Sequence, residues 1–223
     1  MLPRIDGLTK VIVLGITGRT GRQHSRIMRE YGTNIVGGVS PRADVKDVDG
    51  VPVFADSANA VRATGATACV AMVGAMQLLD AIKDAVAAGI KLIVTPTEGM
   101  PVHDAVEALA CVRTAGAMWI GGSTPGMAVA GEAKLGFLPH DSLLPGSLGL
   151  MSKSGTLSYE SGYRLAQAGI GTSVWVGVGG DPVKGTRYAE LVPFYKQDER
   201  TKALLVIGEI GGDRKSTRLN SSH

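Results

Sequence analysis

Residues 11–24 read VIVLGITGRTGRQH, and this stretch decides the fold. The apolar, β-branched run over Lys10–Leu14 is typical of a strand buried in a parallel sheet. It leads into three glycines, Gly15, Gly18 and Gly21, spaced three residues apart. Glycines in this spacing supply a tight turn, a close backbone approach to phosphate and close packing of the next helix. The stretch therefore predicts a strand, a phosphate-binding loop and a helix.

Composition narrows the class of protein. The 223 residues are 44% hydrophobic and include 31 glycines, which favours an α/β protein with a sizeable core and many tight turns. No apolar run approaches the roughly 18 residues of a membrane span, and the start lacks the apolar core of a signal peptide. Cys69 and Cys111 lie among apolar neighbours, which favours buried reduced thiols over a disulfide or a metal site. We therefore expect a cytoplasmic protein with no membrane partner and no bound metal.

The end of the sequence differs in character from the rest. Residues 213–223 read DRKSTRLNSSH, and they can be back-translated without a mismatch to a common sequencing-library adapter. We therefore expect a non-native tail, the alternative being a genuine polar tail. Without this segment the basic and acidic residues nearly balance, so we expect no basic surface for nucleic acid.

Strand and helix patterns alternate through residues 1–121, which predicts a doubly wound parallel sheet with helices on both faces. Residues 122–144 contain Pro125, Pro139 and several glycines, and are predicted to form a connector. A second alternation over residues 145–212 contains three strand patterns, fewer than a complete doubly wound domain usually has. The fold class predicted is α/β, with a Rossmann-like first domain and an incomplete second domain.

The end of the second strand bears on which phosphate the loop binds. An NAD-binding fold usually places an acidic residue there, about 20 residues after the loop. The tip here is Val39–Pro41, with no carboxylate, and Arg42 and Lys46 follow. A cationic edge suits a ribose that carries its own phosphate, as in NADP or coenzyme A. The first domain alone leaves these two open, together with a plain tight turn that binds nothing.

Ordered motifs along the rest of the chain carry a resemblance. They include GITG, YGTNIVGGVSP, AGIKLIVTPTEGMPVHD, TPGMAVAGEAKLGFLP, SKSGTLSYE, GVGGDPVKGT and IGEIGG. Over Lys10–Gly212 the sequence resembles the α subunits of succinyl-CoA synthetase and related acyl-CoA ligases such as malate–CoA ligase. The resemblance implies that the first domain binds coenzyme A and that residues 145–212 form an incomplete flavodoxin-like ligase domain. It also implies the reaction acid + CoA + NTP ⇌ acyl-CoA + NDP + phosphate.

The resemblance also assigns roles to residues at matching positions. Those implied to line the coenzyme A site are Thr17, Gly18, Arg19, Thr20, Pro96, Thr97 and Glu98. Those implied to serve the second site are Ser154 and Gly155 for phosphate, Tyr159 for the acid, and Glu209 for orienting the catalytic histidine. From the residues alone, Ser154 and Gly155 equally suit an ordinary helix cap and Glu209 a surface carboxylate, while an isolated helical tyrosine such as Tyr159 is more often a core residue.

A partner is implied as well. The resemblance predicts a β subunit, in a heterodimer or heterotetramer, that holds the nucleotide and its magnesium, and a small carboxylic acid as substrate. His24, His103, His140 and His223 do not stand in the Gly-His-Ala-Gly setting of the family's phosphorylated histidine. We therefore expect that histidine beyond Gly212, and we expect the chain as given to bind coenzyme A without completing the reaction.

Departures from the family pattern leave the substrate open. Ser123 stands where the family has asparagine, Lys153 where it has arginine, and residues 42–45 where it has Gly-Lys-Gly-Gly. Together they indicate a divergent member whose acid is not necessarily succinate. Two further functions remain: an NADP-dependent oxidoreductase that uses the same loop, and a non-catalytic coenzyme A-binding protein.

Overall fold

The computed structural model describes Pro3, residues 5–42 and residues 44–209. A seven-stranded sheet comes first, in the order β3-β4-β2-β1-β5-β6-β7, parallel except where β3 pairs antiparallel with β4. Its strands are β1 Val11–Leu14, β2 Ile35–Val39, β3 Asp47–Val48, β4 Val51–Phe54, β5 Ala68–Ala71, β6 Leu92–Thr95 and β7 Met118–Gly121. Its helices are α1 Arg19–Tyr31, α2 Ser57–Thr64, α3 Leu78–Ala87 and α4 Val102–Thr114, with a 3-10 turn at Ala75–Gln77.

A second, five-stranded sheet follows in the order β12-β10-β11-β8-β9. Its strands are β8 Gly126–Val129, β9 Ala133–Gly136, β10 Pro145–Ser152, β11 Thr172–Gly177 and β12 Ala203–Ile207. The helices are α5 Gly155–Gln167 and α6 Tyr188–Gln197, with a 3-10 turn at His140–Ser142. Strands β12, β10 and β11 are parallel, whereas β8 is antiparallel to both β11 and β9.

The α/β fold with a parallel first sheet is confirmed, but the expectation for residues 122–144 was wrong. This segment was expected to be a connector. It contains β8 and β9, which form a hairpin and belong to the second sheet. Gly126 and Gly136 pair across the hairpin, each with a positive φ, and a Cβ on either would overlap the other strand. Glycines that normally indicate a loop here permit a close strand pairing. The tail at 213–223 lies outside the described residues.

The two sheets share one core. Successive residues of β1 point to opposite faces of the first sheet, as expected for a strand. Val11 and Val13 face α1 and the hairpin of the second sheet, whereas Ile12 and Leu14 face α2, α3 and α4. The cluster on the first of these faces continues without a break into the second sheet through Met127, Val129, Leu135, Met151, Val174 and Val176. The sheets are therefore packed against each other through apolar side chains.

The remaining expectations concern the two thiols, membrane-spanning helices and metal ligands. Cys69 is fully buried, and burial raises the pKa of its thiol, while Cys111 is only half-buried. Neither residue forms a disulfide. Within the described ranges, none of the helices has the length and apolar character to cross a bilayer. Nor does that part of the chain bring three or more histidine, cysteine or acidic side chains together as metal ligands.

One charged residue lies in the contact between α1 and the hairpin. Lys134 on β9 is only 2% exposed, and its ammonium donates to the Leu138 carbonyl oxygen at 2.7 Å. The Tyr31 ring centroid lies 6.0 Å from the same nitrogen. Burial lowers the pKa of Lys134 to about 8 from an ordinary 10.5. The folded protein therefore releases this proton at a lower pH than the unfolded chain does.

This difference predicts a pH-dependent stability. Between about pH 8 and 10.5 the unfolded chain still holds the Lys134 proton, so Lys134 contributes a rise with pH to the free energy of unfolding, against the opposite contribution of the buried Cys69 thiol, whose pKa is raised by burial. Lys134→Met should flatten that rise by an amount on the order of 1–3 kcal/mol. Urea unfolding at several pH values measures it. The exposed Lys91→Met is the control and should keep the wild-type slope; an equal slope in Lys134→Met would contradict the expectation.

Candidate functional site

The candidate site begins where the first sheet changes direction. From β1 the chain moves outward to β2 and β4, and then returns to the other side of β1 to form β5, β6 and β7. The loops that follow β1 and β5 therefore diverge and leave a crevice at the carboxyl edge. Open parallel sheets bind ligands in such a crevice. The glycine loop, residues 15–18, follows β1 and lies at this point.

Packing explains two of the three glycines. Gly15 has φ +79°, and a Cβ there would lie 2.6 Å from the Met72 carbonyl oxygen. A Cβ on Gly21 would overlap the carbonyl oxygen of Gly15, so the loop and helix α1 are in direct backbone contact. Gly18 differs, since it is exposed, has an ordinary φ of −70° and is the N-cap of α1. No side chain caps that helix start. Gly15 and Gly21 shape the loop, and Gly18 leaves its outer side open.

The loop is held to the neighbouring strand by hydroxyl groups. Thr17 is 9% exposed, and its hydroxyl hydrogen-bonds the Ser40 hydroxyl at the tip of β2 at 2.7 Å. Ser40 also accepts from the Arg42 backbone N–H, and the Arg22 Nε donates to the Thr17 carbonyl oxygen. Arg19 and Thr20 are exposed in the first turn of α1. Sequence reasoning missed Ser40, although a hydroxyl at the strand tip beside the loop was a signal for it.

The other residues predicted for coenzyme A follow β6 at the same edge. Pro96 is buried, Thr97 is half-buried and Glu98 is exposed. The Thr97 hydroxyl donates to the Val73 carbonyl oxygen at 2.7 Å, which ties the end of β6 to that of β5. The structure thus brings the two predicted groups to one edge, on either side of the β5 loop. Their role in binding coenzyme A stays a prediction.

A second polar group lies at the carboxyl edge of β10, β11 and β12. Ser154 caps α5, its hydroxyl accepting from the Leu157 N–H at 3.3 Å, and Gly155 is the first helical residue. Beside this start, the Lys153 ammonium lies 2.9 Å from a Glu209 carboxylate oxygen. The Lys153 side chain is 12% exposed and that of Glu209 is 51% exposed. Glu209, predicted to orient a histidine, is thus paired with a lysine here.

Lys184 adds charge to the same edge from the loop between β11 and α6. Its ammonium donates to the Asp181 carbonyl oxygen at 2.8 Å. Burial, and secondarily the charge of Lys153, lower the pKa of Lys184, while Glu209 raises it. At the end of this loop, the Tyr188 hydroxyl donates to the Ile207 carbonyl oxygen at 2.7 Å, so the loop crosses from β11 towards β12. Sequence reasoning did not single out Lys184.

Tyr159 and the histidines are placed as follows. Tyr159 lies on α5, half-buried against an apolar cluster that includes Leu138 and Trp175, and burial raises the pKa of its phenol. This is the packing expected of a core tyrosine, and its contact with an acid stays a prediction. His24 is half-buried, with its ring centroid 4.3 Å from that of Phe137. His103 and His140 are exposed, as expected.

A short turn, residues 122–125, joins the two polar edges; we call it the bridging turn. The Ser123 N–H donates to the Thr97 carbonyl oxygen at 2.9 Å, and the Ser123 carbonyl accepts from the Gly180 N–H at 3.1 Å. The Thr124 hydroxyl donates to the Gly177 carbonyl oxygen. One backbone segment therefore contacts the end of β6 in the first sheet and the loop after β11 in the second.

The close contact at Gly21 predicts a specific sensitivity. Gly21→Ala should lower the free energy of unfolding by about 1–3 kcal/mol, because the added methyl group overlaps the Gly15 carbonyl and forces the loop away from α1. Thermal or urea unfolding measures it. Gly74→Ala is the matched control, since its nearest heavy atom would be 3.6 Å away. Equal stability of the two variants would rule out the close contact.

The bridging turn predicts an unusual substitution pattern. Ser123 has φ +57°, a left-handed conformation that disfavours β-branched residues and tolerates asparagine. Ser123→Val should lower the free energy of unfolding by about 1–2 kcal/mol, whereas Ser123→Asn should leave it equal or slightly higher. Urea unfolding of both variants provides the comparison. A valine variant as stable as the asparagine variant would show that this backbone conformation is not required.

Comparison with known proteins identifies the family. One family model, described as a CoA binding domain, matches residues 6–99, and another, described as CoA-ligase, matches residues 151–219. A succinate–CoA ligase [ADP-forming] α subunit of Archaeoglobus fulgidus is 44% identical over 208 residues, which cover 93% of this chain and 72% of that protein. The malate–CoA ligase α subunit of Methylorubrum extorquens is 40% identical over 95% of this chain and 73% of its own length.

Solved structures agree on the fold. An ATP citrate lyase of Methanosaeta concilii in complex with (3S)-citryl-CoA superposes with a TM-score of 0.83 at 21% identity, over 97% of this chain and 38% of that one. An acetyl-coenzyme A synthetase of Ca. Korarchaeum cryptofilum gives 0.79 at 22% identity, over 96% of this chain and 47% of that one. The chain thus spans less than half of these longer proteins. Together with the relatives, the two matched domains show that the chain belongs to the family of succinate–CoA ligase α subunits.

Proposed function

We propose that this chain is the α-type subunit of an NDP-forming acid–CoA ligase, with coenzyme A bound at the glycine loop. The observation that carries the proposal is the uncapped start of α1, which lies within residues 6–99 matched by the CoA-binding model. Supporting evidence comes from relatives named as succinate–CoA and malate–CoA ligase α subunits. The acid itself is left open.

The start of α1 fits a phosphate group. The first N–H groups of a helix have no partner within it and attract an anion, an effect that the helix dipole reinforces. In α2 and α5 the side chains of Asp56 and Ser154 cap the helix. Helices α3 and α4 have no side-chain cap but carry Asp80 and Asp104 in the first turn, whereas α1 has neither a side-chain cap nor an acidic residue there. Thr17, Arg19 and Thr20 would add hydroxyl and guanidinium donors to a phosphate seated there.

The second edge fits the transfer of a phosphoryl group to the acid. Such transfers depend mainly on positioning and on neutralising the charge of the phosphoryl oxygens. Lys153 and Lys184 would provide positive charge, while the N–H groups at the start of α5, beside Gly155, would hold an oxygen. Glu209 would then leave Lys153 to orient the histidine that carries the phosphoryl group, as the resemblance implies.

The bridging turn supports a functional link between the two edges. In the proposed reaction an acyl phosphate forms at the second edge, and the thiol of coenzyme A attacks its carbonyl carbon and displaces phosphate. The reacting groups must come close together. Ser123 contacts both Thr97, at the first edge, and Gly180, in the loop of the second. Coenzyme A held at the glycine loop would extend its arm past the β5 loop and the end of β6 to reach this turn.

A β-type partner completes the proposal. The curated relatives are named as α subunits, which implies a second kind of subunit. We propose that this partner binds the nucleotide together with Mg²⁺, whose charge would screen the phosphates. We also propose that the phosphorylated histidine is none of the four histidines in the sequence, as none stands in a Gly-His-Ala-Gly setting.

Two substitutions at Gly18 test the coenzyme A site. Asparagine and aspartate are nearly equal in size and both are good N-caps, so Gly18→Asn and Gly18→Asp should have similar stability. The carboxylate of the aspartate variant, however, would repel a phosphate at the helix start. Isothermal titration with coenzyme A should show binding to the wild type, and at least about tenfold weaker binding to Gly18→Asp than to Gly18→Asn.

The same titration with NADP separates the alternatives. Binding of NADP tighter than that of coenzyme A would favour the oxidoreductase and overturn the proposal. If the aspartate and asparagine variants bound coenzyme A with equal affinity, its phosphates would not be bound at the start of α1. Arg62→Gln, on the opposite face of the first sheet, is the control for a general change in charge.

A further inference from the structure

Four arginines form a row along helix α1, which we call the arginine row. Arg19, Arg22, Arg26 and Arg29 follow one another at spacings of three, four and three residues, and all four are exposed. Side chains at these spacings lie on one face of a helix. At a rise of about 1.5 Å per residue the row extends roughly 15 Å away from the glycine loop. Its first member, Arg19, belongs to the first turn beside Gly18.

Most of this positive charge is not neutralised. The only acidic residue of α1 is Glu30, which lies 3.8 Å from Arg26. Arg22 and Arg29 donate to the carbonyl oxygens of Thr17 and Asp49, which carry no net charge. Within the described ranges, no other ion pair involves a residue of the row. Four arginines against one glutamate give α1 a net positive charge equal to the +3 of the entire chain.

The packing of α1 fixes the row in position. The opposite side of the helix packs against the first sheet and against β9, through Met28 and Ser25 among others. The β2 tip beside the loop carries another cation, Arg42, without an acidic residue at Val39–Pro41. Fixed charges in this arrangement extend the positive potential of the helix start outward along the surface, over a distance comparable with the screening length of about 10 Å at 0.1 M salt.

We propose that the arginine row is an electrostatic guide that draws coenzyme A to the glycine loop and sets the rate at which it binds. The inference rests on the proposed function, since it takes coenzyme A as the ligand of that loop. Coenzyme A carries a pyrophosphate and a 3′-phosphate, so a row of cations complements its charge. Long-range attraction of this kind raises association rates more than it slows dissociation.

The ion pair Arg26–Glu30 allows a test in which two substitutions should change the association rate in opposite directions. Both side chains are more than half exposed, 65% and 60%, so neither substitution is expected to disturb the core. Arg26→Gln removes a cation and leaves Glu30 unpaired, which should slow association. Glu30→Gln removes the opposing charge, which should speed it. A role in stability alone would move both variants in the same direction, because each breaks the same pair.

Stopped-flow binding of the fluorescent analogue 1,N6-etheno-CoA to the chain measures both rate constants. In about 20 mM salt we expect association to be about twofold or more slower for Arg26→Gln and about twofold faster for Glu30→Gln, with unchanged dissociation. The differences should vanish near 1 M salt, where screening acts within about 3 Å. Arg62→Gln on α2 makes the same charge change on the other face and should behave like the wild type.

Each result decides the matter. Opposite shifts of the two variants that disappear at high salt support the inference. Unchanged association rates, shifts of the same sign, or effects confined to dissociation overturn it while leaving coenzyme A binding, and hence the proposed function, intact. A chain that binds no etheno-CoA at all overturns the proposed function together with the inference.

Discussion

The structure depends on a short backbone segment, the bridging turn, that joins two sheets at their polar edges. The Ser123 N–H donates to the Thr97 carbonyl oxygen at the first sheet's edge, and its carbonyl oxygen accepts from the Gly180 N–H at the second, so one residue contacts both edges. It does so in a left-handed conformation that a serine adopts at a cost. The apolar core shared by both sheets stabilises this geometry, because the turn lies beside β7 and β8, which pack against each other. Core packing thereby determines the spacing of the polar edges.

The helices that begin at the two edges differ in how their first N–H groups are capped. Helix α1 begins without a cap and with the arginine row, so its unpaired N–H groups are available to an outside anion. Helix α5 begins with Ser154, which satisfies one N–H, and with Lys153 already paired to Glu209. An anion at the second edge must therefore compete with a carboxylate, whereas one at the first meets no such competitor. This difference supports the proposal that the first edge holds a cofactor tightly and that the second exchanges a phosphoryl group.

Much of the fold was predictable because its strands are short apolar runs that contain β-branched residues. The sequence pattern predicts strands at Val51–Phe54, Leu92–Thr95 and Ala203–Ile207, and these are the bounds that the structure has. For the first helix, by contrast, the glycine pattern predicts a start at about Gly21, whereas α1 begins at Arg19 because Gly18 is its N-cap. The β8–β9 hairpin was missed because its glycines and prolines read as a loop, and only the contact between Gly126 and Gly136 shows why a strand needs them.

The residues of the candidate sites also differ in how far the sequence alone indicated them. Residues after Gly15 and Thr95 were predictable at one edge, since parallel strands end together. Ser40 was indicated only by its place at the tip of β2, because its partner Thr17 lies 23 residues away in the neighbouring loop. Lys184 was not indicated, because its nearness to Lys153 and Glu209 depends on the loop that crosses from β11 towards β12. The resemblance supplied roles for single residues such as Glu209. It could not show that the Glu209 carboxylate forms an ion pair with Lys153.

Helix α1 is the element through which these constraints act together. At its start, Gly21 contacts Gly15 of the glycine loop. Its far end contacts the hairpin of the second sheet. There the Thr33 hydroxyl donates to the Lys134 carbonyl oxygen at 2.7 Å, and the Gly136 N–H donates to the Met28 sulfur at 3.3 Å. A displacement of α1 would therefore alter both ends at once. The helix that we propose offers charge to a ligand is therefore held by contacts at both of its ends.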